Sequence, residues 1–176
     1  MNLKNKDQRV TVFFDVQNLY HSAKNLYQAR VNFREIVKTA VAGRKLIRAF
    51  AYVVRTKTGE EKPFFDALIN LGIETRVKDL QEYYGGLKKA DWDVGIAVDA
   101  IKTSGSADVV VLVSGDGDYV PLVEYLQNHG KRVEVLAFGK STSSRLREAA
   151  DEFIDLEEDN GKYLLKKSRW PLKMPR

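Results

Sequence analysis

The chain contains no cysteine, which excludes a disulfide framework, a thiol nucleophile and a thiolate zinc site, and fits an intracellular setting. No apolar run approaches the ~18 residues needed to cross a bilayer. The polar start MNLKNKDQR does not read as a secretory signal, so a soluble, cytoplasmic protein is expected. Acid is missing from the C-terminal end. Residues 161–176 carry Lys162, Lys166, Lys167, Arg169, Lys173 and Arg176 without a single Asp or Glu, so the net charge of +5 leaves −1 for residues 1–160. The basicity is a property of the tail. With Tyr163 and Trp170, such a segment offers phosphate contacts and stacking surfaces to a nucleic acid, while a solvated end accounts for the same composition.

The remainder, 44% apolar over a chain of 176 residues, suffices for one domain with a core, expected over residues 1–160. Strands and helices alternate along it. Val10–Val16, Lys45–Val54, Ile73–Val77, Val109–Val113 and Lys131–Phe138 read as strands, with Phe153–Leu156 as a short edge strand. Helices are expected around Leu19–Tyr27, over Phe33–Val41 behind an Asn32/Glu35 capping box, and over Glu60–Leu71. Further helices fit Lys88–Thr103, Tyr119–Asn128 and Thr142–Ala150, and Asp79–Leu87 reads as a ribbon turning at Gly85-Gly86. No internal repeat is visible. The pattern argues for an α/β domain of three layers around a mainly parallel sheet of about five strands.

DVVVLVSGDGDYVPL, Asp108–Leu122, organises the rest. Its apolar, β-branched run suits a strand buried on both faces, and the glycines turn the backbone while Asp116 and Asp118 project from the strand's carboxyl end. Asp15 ends the first strand, and Asp93 and Asp99 lie on one helix about 120° apart, so only one of them can aim squarely at a shared site. Several carboxylates in one crevice repel unless a cation intervenes, and Mg²⁺ or Mn²⁺ is the natural oxygen-seeking choice. Plainer roles are open. Asp118 can be a helix cap, Asn18 a turn residue, and Ser141, Ser143 and Ser144 caps of the last helix. Asp15 is harder to explain away, because a charge beside Phe13, Phe14 and Val16 is costly unless paired or metal-bound. His21 and His129 look peripheral.

Three segments together, FFDVQNLY, KKADWDVGIAVDA and VSGDGDYVPL, followed by Gly130 and the strand VEVLAFG, resemble the NYN domain. The likeness is to its LabA-like branch within the PIN-like nuclease superfamily, and it covers about Val10–Leu156. What it implies is a PIN-like fold of strand order 3-2-1-4-5, with Asp15 and Asp116 on adjacent strands, and metal-dependent RNA cleavage. Asp15, Asp93, Asp116 and Asp118 match the acidic positions, Asp99 is a further candidate ligand, and Asn18 and Ser114 are supporting groups. Gln17 stands where many members have Gly, and Asp91 where a small residue is commoner. Neither removes a ligand.

The expectation is a ribonuclease in which Asp15 and Asp116 hold Mg²⁺ or Mn²⁺, Asp93 and Asp118 complete the shell, and a metal-activated water attacks a backbone phosphate. Arg55, Lys57, Lys88, Lys89, Lys166, Lys167 and Arg169 would contact the RNA, expected single-stranded. A homodimer is compatible with the chain. Two other readings fit the residues: a non-catalytic RNA- or protein-binding module with a residual acidic pocket, and an Asp-nucleophile phosphatase, which leaves Asp15 and Asn18 without a role.

Overall fold

Val10, Val12 and Phe14 join one core and Phe13 the other, and none of the four is exposed. A strand buried on both faces needs helices above and below it. The computed structural model describes residues 4–82 and 88–165. It runs β1 (Arg9–Asp15), α1 (Val16–Tyr27), β2 (Arg30–Val31), α2 (Phe33–Val41), β3 (Lys45–Arg55), α3 (Lys62–Asn70) and β4 (Glu74–Asp79). Then follow β5 (Gln81–Glu82), β6 (Lys88–Lys89), α4 (Asp93–Thr103), β7 (Val109–Val113), α5 (Val120–Asn128) and β8 (Arg132–Ala137). The last elements are α6 (Ser144–Ala149), β9 (Glu152–Asp155), α7 (Asn160–Tyr163) and β10 (Leu164–Leu165).

The main sheet has six strands in the order β4-β3-β1-β7-β8-β9, all pairings parallel. The five strands expected from the sequence hold the expected order, and the Phe153 segment adds a sixth at the edge. Helices α1, α2 and α3 supply Leu19, Ile36 and Leu68 to one face, whereas α4, α5 and α6 supply Ile96, Val123 and Leu146 to the other. The chain thus leaves β1 and β7 in opposite directions, which opens a crevice at their carboxyl ends.

Local chemistry explains the boundaries. Asn32 caps α2 by accepting from the Glu35 N–H, but the Glu35 carboxylate pairs with Lys38 at 2.6 Å instead of closing the capping box. Pro63 sits in the first turn of α3, and Gly72 and Gly130 follow α3 and α5 with φ of +77° and +75°, a conformation glycine adopts without strain. Helix α4 starts later than expected, at Asp93, because Lys88 and Lys89 pair with β5 and Trp92 donates its indole N–H to the Val53 carbonyl at 3.0 Å. Its buried residues are Ile96 and Ala100, while Val98 and Ile101 are exposed. The Gly85-Gly86 turn lies outside the described residues.

Two features were not foreseen. Arg44 and Glu134 form a fully buried bidentate pair, at 2.8 and 2.7 Å, with the guanidinium also donating to the Val41 and Ala40 carbonyls. And β10 pairs antiparallel with β2, while Tyr163 is buried with its hydroxyl 2.9 Å from Thr39 Oγ1. Residues 160–165, at the start of the basic tail, thus pack on the body.

Candidate functional site

Phe14 pairs with Val113, so the residues that follow them, Asp15 and Ser114, emerge side by side. Ser114 donates its hydroxyl to Asp15 Oδ2 at 3.1 Å and accepts from the Asp116 N–H at 3.2 Å. Asn18 ties the same two loops together. Its backbone N–H donates to Asp15 Oδ1 at 3.1 Å, and its side-chain oxygen accepts from the Gly115 N–H at 2.9 Å.

The turn after β7 is tight for a steric reason. A Cβ on Gly115 would meet Thr142 Oγ1 at 2.9 Å, and one on Gly117 would meet Ser143 Oγ at 2.7 Å, so only glycine lets the segment around residues 141–143 close over the turn. The Ser143 N–H then donates to the Gly115 carbonyl at 2.9 Å. Asp116, not Asp118, is the capping residue here, accepting from the Asp118 N–H at 2.9 Å. That leaves the Asp118 carboxylate exposed beside it.

Helix α4 brings Asp93 to the same place. Among the described residues, Asp93, Asp116 and Asp118 each offer a carboxylate oxygen, and the three lie within 4.8 Å of one another. Asp15 lies behind this trio. Its side chain is spoken for by Asn18, Ser114 and Tyr119, whose hydroxyl lies 3.4 Å from Asp15 Oδ2 and donates to Asp93 Oδ1 at 3.1 Å. Burial pushes the Asp15 carboxyl up to about 6, against the lowering effect of its Asn18 and Ser114 hydrogen bonds and with help from nearby Asp93 and Asp116. Burial also raises Asp93, the Tyr119 bond opposing it and Asp116, Asp91 and Asp118 adding to it. The Tyr119 hydroxyl, buried among these acids, is held protonated.

The other candidates are placed differently. Asp99 accepts from the Tyr52 hydroxyl at 2.9 Å and pairs with Arg76 at 3.4 Å, and it is not in the group formed by Asp93, Asp116 and Asp118. Of the two α4 acids, Asp93 is the one that faces the crevice. Arg55 is ion-paired with Asp79 at 2.8 Å, and Lys57 is exposed in the loop after β3, at the same end of the sheet as Asp15. Lys88 and Lys89 form β6, whereas Lys166, Lys167 and Arg169 lie outside the described residues. His129 stacks on Tyr125 at 4.0 Å, away from the acids. Tyr119 is the site residue that sequence reasoning missed. Its signal was its place, an aromatic with a polar tip directly after Asp118.

The acids fit a hard divalent cation on chemical grounds: three oxygen donors converge, and among the described residues no histidine or cysteine joins them. Among the described residues no helix is long and apolar enough to cross a membrane.

Residues 9–157 match the NYN domain. The low amplitude and bright protein LabA of Synechococcus elongatus is 30% identical over 120 residues, 65% of this chain and 64% of that protein, so the match spans just under two thirds of that relative's length. A crystal structure of a Vibrio parahaemolyticus protein of unknown function superposes with a TM-score of 0.83 at 31% identity, covering 92% of this chain and 99% of the other. The matched span takes in β1, α4 and β7 with every acid of the crevice, and the chain belongs to the NYN domain family.

Proposed function

We propose that the chain is a metal-dependent ribonuclease acting on single-stranded RNA in the cytoplasm. The observation that carries this reading is the convergence of Asp93, Asp116 and Asp118 at the carboxyl ends of the central strands, and membership of the NYN domain family, with the resemblance to PIN-like nucleases that its motifs carry, supports it. These three residues would hold Mg²⁺ or Mn²⁺. When bound, such an ion supplies Lewis-acid polarisation of a phosphate and activation of a water.

The chain's own groups set the geometry. Tyr119 orients Asp93, and Asp116 is fixed by the Ser114 oxygen that its N–H meets and by the Asp118 N–H that it accepts. Asp15 backs the cluster, locked by Asn18 and Ser114, and acts on the ligand acids through them. Lys57, Lys88 and Lys89 guide the RNA backbone with Arg55, whose pairing with Asp79 at an exposed position is weak enough to yield to a phosphate. The tail residues Lys166, Lys167 and Arg169 add to that field.

One observation favours a second reading, a non-catalytic RNA-binding module. Asp15 is satisfied by protein donors alone, and so needs no ion. Single-turnover cleavage of labelled single-stranded RNA with Mg²⁺, Mn²⁺ or EDTA separates the two. Wild type is expected to cleave with metal and not in EDTA, and Asp116→Asn and Asp15→Asn to lose nearly all of that activity. Binding without cleavage under every metal condition overturns the ribonuclease reading.

A further inference from the structure

On the sheet face that carries α1, α2 and α3 lies a second cleft, of about 540 Å³, outside the acidic trio. Tyr20, Phe33 and Phe64 contribute aromatic walls, the last two with ring centroids 5.4 Å apart, and Arg30 and Arg34 stand on its border. Glu61 completes it. This residue is only 1% exposed, yet it carries a carboxylate in a mainly apolar wall that also includes Asn32 and Asn70. One carboxylate oxygen accepts from the Thr56 N–H at 3.2 Å and from the Thr56 hydroxyl, while the other, Oε2, is buried with no hydrogen-bond partner. A buried acceptor left unpaired is costly and rare, so a donor that reached Oε2 from the cleft, by a small shift of the wall, would be favoured.

We infer that this cleft binds a nucleotide unit through a base that presents N–H groups, guanine being the best match. Three features select that chemistry. A fatty acid or similar anion would suit the arginines and the aromatic walls but would leave Glu61 unpartnered and repelled. A hydrophobic amine would suit Glu61 but would face Arg30 and Arg34. A guanine nucleotide meets all three, with ring N1–H and amino N–H toward Glu61, the flat ring among Tyr20, Phe33 and Phe64, and the phosphate at the arginines. Val16, in the cleft wall, follows Asp15 directly in the chain. The nucleotide is either free or one residue of an RNA strand, and only the RNA case rests on the ribonuclease reading.

The test is ligand-observed NMR titration of the full chain in EDTA with GMP, guanosine and a guanosine-containing RNA trinucleotide. Wild type is expected to bind at least one of GMP and the trinucleotide. Glu61→Gln keeps an oxygen for Thr56 and turns an NH₂ toward the base, donor against donor, so binding should weaken at least about tenfold. Arg34→Ala, at an exposed position that folding does not need, should weaken GMP several-fold and leave guanosine unchanged. It keeps the proposal testable should Glu61→Gln fail to fold. Trinucleotide binding without GMP binding assigns the cleft to the RNA strand, and the converse to a free nucleotide. No binding of either at about 5 mM, or equal affinity in wild type, Glu61→Gln and Arg34→Ala, overturns the proposal. The titration in EDTA reads binding without cleavage, so failure of RNA cleavage leaves this site standing, and failure of binding beside intact cleavage removes the cleft alone.

Discussion

The Tyr119 hydroxyl donates to Asp93 at 3.1 Å from a position where it is itself almost completely buried. The same oxygen lies 3.4 Å from Asp15, so one phenol links the acid at the end of β1 to the acid at the start of α4. Removing it in Tyr119→Phe takes away the hydrogen bond that favours ionised Asp93, whose carboxyl then rises further. Protons compete better with the metal. Mn²⁺ affinity measured by calorimetry should fall about tenfold, more at pH 6 than at pH 8, with the fold intact by circular dichroism.

Asp15 has the opposite signature. Its ordinary value of 3.8 is raised to about 6 in the folded chain, so between those pH values the native state holds the proton that the unfolded state has released. Stability contributed by this group therefore falls as pH rises through that window, and the penalty is complete above about 6. In EDTA at pH 7.5, Asp15→Asn should be more stable than wild type by about 1–3 kcal/mol in urea, the gain fading as pH drops toward 4. The same variant should fail to cleave RNA. Equal destabilisation at every pH would show that its hydrogen bonds outweigh the burial of its charge.

A ligand that binds only the folded state raises the melting temperature. Mn²⁺ at about a hundredfold over its dissociation constant should lift wild type by roughly 5–10 °C, and Asp116→Asn should erase the lift. Asp99→Asn, whose native partners are Tyr52 and Arg76, should retain it.

The buried Arg44–Glu134 pair gives a prediction remote from the crevice. Arg44→Met leaves a charged Glu134 in the interior with only Arg132, 3.1 Å away, to meet it. The expected cost is about 3–5 kcal/mol by urea denaturation, and much of it should return in the double variant with Glu134→Leu.

The fold was legible where local pattern and tertiary role agree. Val109–Val113 could be read as a doubly buried strand because every residue in it is apolar, and the six-residue spacing of Asp93 and Asp99 already excluded one of them from the crevice. Which of the two faced inward depended on Tyr52, a residue 47 positions from Asp99, and no spacing rule reports that. The pairing of Arg30–Val31 with Leu164–Leu165 involves too few residues for any periodicity to register. Glu134 was hidden differently: it reads as the polar residue of an alternating strand, and only Arg44, 90 positions away, lets it sit inside. Tyr119 was visible as a helix start but not as a bridge, because the reach of its hydroxyl depends on where α4 packs.

The Ser114–Asp15 contact joins positions 99 apart, across a strand pair that must form before either loop has a neighbour. On the ribosome this makes the site a late arrival. A nascent chain that has exposed Asp15 has nothing opposite it until some hundred further residues have been translated and β7 has docked beside β1. If the protein cuts RNA, the stretch of its own messenger from Asp15 to Ser114 is read through before the cutting edge exists.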